Sequence, residues 1–386
     1  MDKIKKLAMI FDSLANELNI TASMLDKAET AYNALGAYIK ASNEDWDVAI
    51  YPQGSFELGT VIKPLTEEEQ YDVDLIIHVK HPSFNAEQLR NAVMELLLKH
   101  GRYEGKVENK KPCIRIQYAE SSQFHMDIAS AIDSFSNDES IQIARFDGIS
   151  SYYYDISNPI GYIKWFKSTM QYEEFRKAQA VFEAQTVVQE LKLSRIRTPL
   201  QKAVQILKRH RDIYFMNRND SDNRPSSIIV TTLCAMAYAD TFGTYEKENT
   251  YLTILNMLNR IPHYLNRNEA GEFYLVNPSN PEENFLKKWN ENDALVLAFR
   301  EWSAKAKMDI ITNPDRFIDN DQSSLRTNLL ESFGKRDMEK ALDIYGKQIG
   351  DLADSGKLYY AAKGGNVTLN EQEGKAYNKH TYYGEG

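Results

Sequence analysis

Residues 51–79 read YPQGSFELGTVIKPLTEEEQYDVDLIIHV, and the alternation at the end of this stretch decides the fold class. Successive side chains of a β-strand leave opposite faces. Asp72 and Asp74 therefore project from one face of the strand that runs through DVDLIIHV, while Val73 and Leu75 point to the other. Two carboxylates side by side on a buried strand raise each other's pKa, and desolvation disfavours both anions unless a cation neutralises them. Magnesium suits that role: a hard ion with oxygen ligands at about 2.0–2.1 Å takes one or two protein carboxylates and completes its shell with substrate phosphates and water. Upstream, DVAIYPQ predicts a second strand leading into Gly54-Ser55 and a second small pair, Gly59-Thr60. Glycine lets backbone approach a phosphate closely, and backbone N–H groups with the Ser55 hydroxyl supply donors.

A third carboxylate is expected from another strand. Asp127 in QFHMDIA fits by context, because Phe124, Met126 and Ile128 form an apolar opposite face, with Asp133 a nearby alternative. Two ions about 3.5–4 Å apart activate an attacking hydroxyl and stabilise a leaving pyrophosphate. In that scheme Asp72 and Asp74 hold both ions, and Asp127 ligates only the one that activates the nucleophile, serving as general base or orienting group. His125 reads as a packing or hydrogen-bonding residue. Gly-Ser pairs and Asp-x-Asp are each common; their combination with a later apolar-flanked aspartate is restrictive.

Working outward, residues 1–42 show two helical periods broken near Asn19 to Thr21. NAEQLRNAVMELLLKHG predicts a helix stopped by Gly101, and KPCIRIQY and FHMDIASAI predict further strands, so the first half mixes α and β. From Pro159 the helical period dominates, through IGYIKWFKSTM, residues 172–193, PLQKAVQILKRHRDIYF, PSSIIVTTLCAMAYA and later segments to about residue 349. The polar, glycine-rich end predicts a flexible tail.

Composition bounds the function. The chain has 386 residues, 42% of them hydrophobic, and 46 lysines and arginines against 55 aspartates and glutamates give a net charge of −9, the wrong sign for tracking duplex phosphates. Cys113 and Cys234 are too few for a disulfide framework or a four-ligand zinc site and point to a reducing compartment. No apolar run approaches the roughly 20 residues of a membrane span. The opening MDKIKKLAMIFDSLANEL is amphipathic without a cleavage pattern, so a cytoplasmic, unprocessed protein is expected.

QGSFELGTVI followed by YDVDL, with sixteen residues between Ser55 and Asp72, resembles the DNA polymerase β-like nucleotidyltransferases and, within them, the CD-NTases, bacterial relatives of cyclic GMP-AMP synthase. SNPIGYIKWF (157–166), TPLQKAVQILKRHRD (198–212), RPSSIIVTTL (224–233) and LVNPSNPEENFLKKW (275–289) look like blocks of the same family, which extends the resemblance over most of residues 45–300. It implies an α+β, bilobed enzyme: N-terminal helices (1–42) bracing both lobes, a mixed-sheet catalytic core (43–155), a helical oligoadenylate-synthase-like lobe (156–350) and the tail (351–386). It also implies a nucleotide site of Gln53, Gly54, Ser55, Lys208 and Ser227 beside Asp72, Asp74 and Asp127. The alternatives for these last residues are a solvated KRHR face for Lys208 and a plain helix N-cap for Ser226 or Ser227.

The implied activity joins ATP and other nucleoside triphosphates into a cyclic di- or trinucleotide messenger, with release of pyrophosphate, two Mg2+ ions (Mn2+ as substitute) and a role in anti-phage (CBASS) signalling. No membrane and no double-stranded nucleic acid is expected as partner. Tyr162 and Tyr214 are candidates to stack on a base, LVNPSNPEENF is assigned a structural role, and Gly386 resembles a terminal glycine conjugated by ubiquitin-transfer-like partners. The competing readings are a template-independent polymerase or tRNA-modifying nucleotidyltransferase, which needs a basic substrate track, and a non-enzymatic module, against which the three intact aspartates speak.

Overall fold

The computed structural model describes residues 3–42, 46–80, 83–118, 123–134, 139–170, 197–216, 218–240 and 249–357, with the short stretches 359–361, 367–368 and 374–376. The expected helix over 172–193 and the terminal Gly386 lie outside the described residues.

Seven strands make the main sheet: β1 (Val48–Pro52), β2 (Tyr71–Val79), β3 (Val107–Asn109), β4 (Ile114–Gln117), β5 (Phe124–Asp133), β6 (Ile141–Phe146) and β7 (Tyr152–Ser157). Their order is β1-β2-β5-β4-β3, with β6 joining the far end of β5 and β7 pairing β6. The central pair β2–β5 is parallel and every other pair is antiparallel. The apolar alternate residues Val73, Leu75, Ile77, Met126, Ile128, Ile114 and Ile116 all face one core, shared with helix α4 (Ala86–Leu98) and with Ala28, Tyr32, Leu35 and Ile39 of α2 (Ala22–Ser42). The opposite face carries the aspartates at one end and a small apolar patch of Tyr51, Ile76, Ala129, Ala131, Ile141 and Ile143 at the other.

α1 (Lys3–Leu18) belongs to a different core. Its Leu7, Ile10, Phe11, Leu14 and Leu18 pack with the helices that follow the sheet: α5 (Pro159–Thr169), α6 (Pro199–Met216), α7 (Ser227–Ala239), α8 (Thr250–Arg260), α9 (Asp293–Lys307), α10 (Asn313–Phe317), α11 (Gln322–Phe333) and α12 (Lys335–Asp354). Each of the two N-terminal helices thus buries its apolar face in a separate core, and the turn near Asn19 joins the cores covalently. No described helix is long and apolar enough to cross a membrane.

Two departures from the sequence reading stand out. The hairpin β6–β7 was not anticipated; Asp147 Oδ1 accepts the N–H groups of Ile149, Ser150 and Ser151, and Gly148 at φ 91° completes the turn, an Asp-Gly signal between alternating segments. The stretch assigned to a flexible tail also begins too early and contains structure. Helix α12 runs on to Asp354, and Tyr359–Ala361 pairs with Val367–Thr368 and Gly374–Ala376 in a three-stranded antiparallel sheet. The physical reason is local: Tyr359, Tyr360, Val367 and Thr368 are aromatic or β-branched residues, which favour strands.

Candidate active site

The parallel register of β2 and β5 sets Asp72 opposite His125 and Asp74 opposite Asp127, so four polar side chains form a square on one sheet face. Asp133, the sequence alternative, lies three side-chain steps further along β5 and pairs with His78 at 2.9 Å. Register therefore brings Asp127, and not Asp133, to the Asp-x-Asp pair. On the far side of β5, Arg115 of β4 is the register partner of Asp127 and holds it with a fork: Nε donates to Oδ1 at 2.7 Å and Nη2 to Oδ2 at 2.7 Å. The same Nη2 lies 3.7 Å from Asp72 Oδ1. His125 Nε2 contacts Asp72 Oδ1 and its Nδ1 meets Gln70 Oε1 at 3.2 Å. His125 is thus a hydrogen-bonding residue, as read, and also a member of the cluster.

Gly54 sits directly against this cluster. Its φ is +64°, and a Cβ built there would lie 2.2 Å from Asp74 Oδ2. The Gln53 N–H donates to the Asp74 carbonyl at 2.9 Å, which ties the Gly-Ser turn to the middle of β2. Residues Gly54–Glu57 form a single helical turn, α3, whose Glu57 pairs with Lys167 of α5. Helix α6 grips the chain that follows. Gln201 donates to the Leu58 carbonyl at 2.9 Å, Lys208 to Thr60 at 3.0 Å, Gln205 to Val61 at 2.8 Å and Arg209 to Lys63 at 2.7 Å. These four donors fall at helical spacing on one stripe of α6. Gly59 is needed for this, since a Cβ would lie 2.3 Å from Gln201 Nε2.

Lys208 is buried, at 5% exposure, which removes the solvated-face reading. Burial first, then Arg211, pushes its pKa down to about 8, while Asp212, Asp72 and Asp74 oppose the shift. Arg211 donates to Ser227 Oγ at 3.2 Å and to the Pro225 carbonyl at 3.0 Å, so Ser227 opens α7 beside Lys208's neighbour. Ser226 holds the N-cap position without a side-chain capping bond, and both serines are exposed. Tyr162 is corrected: it is 5% exposed with its hydroxyl on Thr232 at 2.9 Å, so no base can stack on it. Tyr214 is half-buried beneath the Arg218 guanidinium, 4.7 Å from its ring. LVNPSNPEENF keeps its structural role as a strand pair, Val276–Asn277 with Asn280–Asn284, whose Glu283 accepts from Ser157 and the Asn158 N–H at the entry to α5.

The electrostatics separate the aspartates. Burial raises the Asp72 carboxyl, but the hydrogen bond and charge of His125, with Arg115 and Lys208 further out, outweigh it and leave Asp72 below the ordinary carboxylate value. Asp74 is pushed well above that value by burial and then by Asp72 and Asp127, with Lys208 and Arg115 only partly offsetting the rise. Like charges converging on a buried carboxyl are the signature of a site that suits a cation. Asp72, His125 and Asp127 offer one ligand atom each within 4.8 Å of one another. The carboxylate oxygens fit a hard divalent cation of the magnesium or manganese type, whereas an imidazole suits softer ions, so His125 fits as the hydrogen-bond partner of Asp72.

Residues 48–130 match the family described as cyclic GMP-AMP synthase DncV-like, nucleotidyltransferase domain. A c-di-GMP synthase of Roseivirga ehrenbergii is 30% identical over 292 residues, 74% of this chain and 74% of that protein. The chain belongs to the bacterial CD-NTase family. It is accordingly a nucleotidyltransferase of the cyclic-oligonucleotide synthase class. Another CD-NTase relative, the cyclic dinucleotide synthase CdnG of Bradyrhizobium diazoefficiens, is 21% identical and spans 93% of this chain and 88% of its own length. The structure of that CD-NTase in complex with GTP superposes with a TM-score of 0.67 at 18% identity, over 88% of this chain and 98% of that one, a likeness of fold.

Arg115 is the member of the site that sequence reasoning passed over, while His125, read as a packing or hydrogen-bonding residue, proves to touch Asp72 itself. A signal existed for Arg115: in IRIQ it alternates with Ile114 and Ile116, which places a cation on the aspartate face.

Proposed function

We propose that this CD-NTase joins two nucleoside triphosphates, with GTP the preferred substrate, into a cyclic dinucleotide that acts as an anti-phage (CBASS) messenger. The observation that carries the catalytic half is the register pairing of Asp74 with Asp127 beside Asp72, with Gly54 packed against the same carboxylates. The guanine preference and the ring of two rest on the relatives, a c-di-GMP synthase and a cyclic dinucleotide synthase.

In this reading Asp72, Asp74 and Asp127 hold two divalent ions, Mg2+ or Mn2+, which when bound supply Lewis-acid activation and charge neutralisation. The residues of the chain do the rest. Gly54 and Ser55 offer backbone and hydroxyl donors to the donor triphosphate, and Gln53 fixes their turn to β2 through its bond to Asp74. Lys208 faces Asp72 and Asp74 from α6 and adds positive charge for the phosphates, with Ser227 opening the adjacent helix. Asp127 orients the attacking hydroxyl or takes its proton. Linear intermediate and ring closure use the same groups, because each step is an in-line attack on a triphosphate with pyrophosphate leaving.

The test is incubation of the purified protein with labelled ATP, GTP, CTP and UTP and Mg2+ or Mn2+, phosphatase treatment, and mass spectrometry of what survives. A phosphatase-resistant guanine dinucleotide is expected. Label found only in added RNA would overturn the reading in favour of a polymerase.

A further inference from the structure

Arg115 has no place in the scheme above, yet it makes the shortest-range ionic contacts to the third aspartate. Both oxygens of Asp127 accept from it at 2.7 Å, and one of its nitrogens lies 3.7 Å from Asp72. It stands on β4 directly across from Asp127, so the fork is set by backbone register and not by a mobile loop. Its side chain is 25% exposed and that of Asp127 13%, which limits screening by water. A guanidinium stays charged throughout the working pH range. The cluster therefore contains a permanent positive charge between the two carboxylates, Asp72 and Asp127, that with His125 come within 4.8 Å of one another.

We propose that Arg115 is a resident counter-ion that opposes binding of a bare divalent cation at Asp72 and Asp127, so that metal loading depends on the triphosphate. A cation approaching the cluster meets the repulsion of Arg115 and of Lys208. A nucleoside triphosphate brings the negative charge that offsets both. Metal and nucleotide then bind with positive coupling, each raising the affinity of the other by the same factor. Arg115 acts through its charge alone in this scheme; it neither ligates nor transfers a proton. The inference rests on the reading that the three aspartates hold metal.

The experiment is Mn2+ binding to the full-length protein, followed by electron paramagnetic resonance, with and without the non-reactive analogue α,β-methylene GTP. Wild type, Arg115→Gln, Arg115→Lys and Asp74→Asn are compared. Without nucleotide, Arg115→Gln is expected to bind Mn2+ roughly tenfold tighter than wild type, the scale of removing one nearby like charge in a partly hydrated site. Arg115→Lys, which keeps the charge, stays close to wild type, and the analogue narrows the gap between Gln variant and wild type. Equal affinity in the Gln variant and wild type would overturn the proposal, and weaker affinity in the Gln variant would show that the fork orients Asp127 for the metal. If Asp74→Asn binds Mn2+ as well as wild type does, the metal reading itself falls and takes the inference with it. Arg115→Met, which retains the aliphatic stem, replaces Arg115→Gln should the latter fail to fold.

Discussion

Replacing Gly54 by alanine puts a methyl group where the structure has a carboxylate. At φ +64° the backbone is in the left-handed region, which costs an L-residue about 1–2 kcal/mol. The new Cβ would lie 2.2 Å from Asp74 Oδ2 and 2.9 Å from its Cγ. Relief to an ordinary contact requires the carboxylate to recede by roughly 1 Å, a displacement that at a reacting centre lowers the rate by about a hundredfold. Gly105 is the internal control, since its φ of +68° carries the same backbone cost and nothing lies within 4 Å of its Cβ position. Both Gly54→Ala and Gly105→Ala should melt a few degrees below wild type by scanning fluorimetry. Only Gly54→Ala should lose activity, by about two orders of magnitude in pyrophosphate release at saturating nucleotide. If the two variants keep activities within about threefold of each other, the packing of Gly54 on Asp74 has no bearing on the chemistry.

Asp74→Asn should abolish product while leaving the melting temperature at or above that of wild type, because it removes a carboxyl whose anion is opposed by burial, Asp72 and Asp127, and takes away no core volume; retained turnover would refute the site. Lys208, with its pKa lowered to about 8, is cationic below that pH and neutral above it. The nucleotide KM should therefore climb as pH rises through about 8, the dependence should vanish in Lys208→Met, and a flat wild-type profile would remove Lys208 from the phosphate site. Asp337 accepts from Lys63, Arg209 and Arg336, and its side chain is 3% exposed. Asp337→Ala should cost about 3–5 kcal/mol in denaturant unfolding by leaving Arg209 buried without its anion, while the half-buried Lys63 keeps Glu17 at 3.6 Å. Burial raises the Asp337 carboxyl but those cations hold it below the ordinary value. Wild type should keep this contribution above the unfolded-state carboxylate pKa of about 4 and lose it as pH falls further, and the variant should lack that acid sensitivity.

Periodicity is a local property, and what depended on it was legible from the residues alone. The alternation in DVDLIIHV put Asp72 and Asp74 on one face, and the two helical periods of 1–42 became helices that bury Leu7, Ile10, Phe11 and Leu14 in one case and Ala28, Leu35 and Ile39 in the other, with Ile4 left exposed. The long QGSFELGT string and the helical blocks carried the family. Register between strands about fifty residues apart is not local. It is set by which apolar faces pack together, and that packing decided that Asp127 meets Asp74 while Asp133 goes to His78. The same nonlocal packing buried Lys208 against the Thr60 carbonyl and closed Tyr162 to any ligand. It also brought Arg115 from a neighbouring strand onto the third aspartate, since the alternation of IRIQ gives the face but not the register. The sequence by itself determined which side chains are available for the chemistry; the tertiary structure decided which of them share a charge.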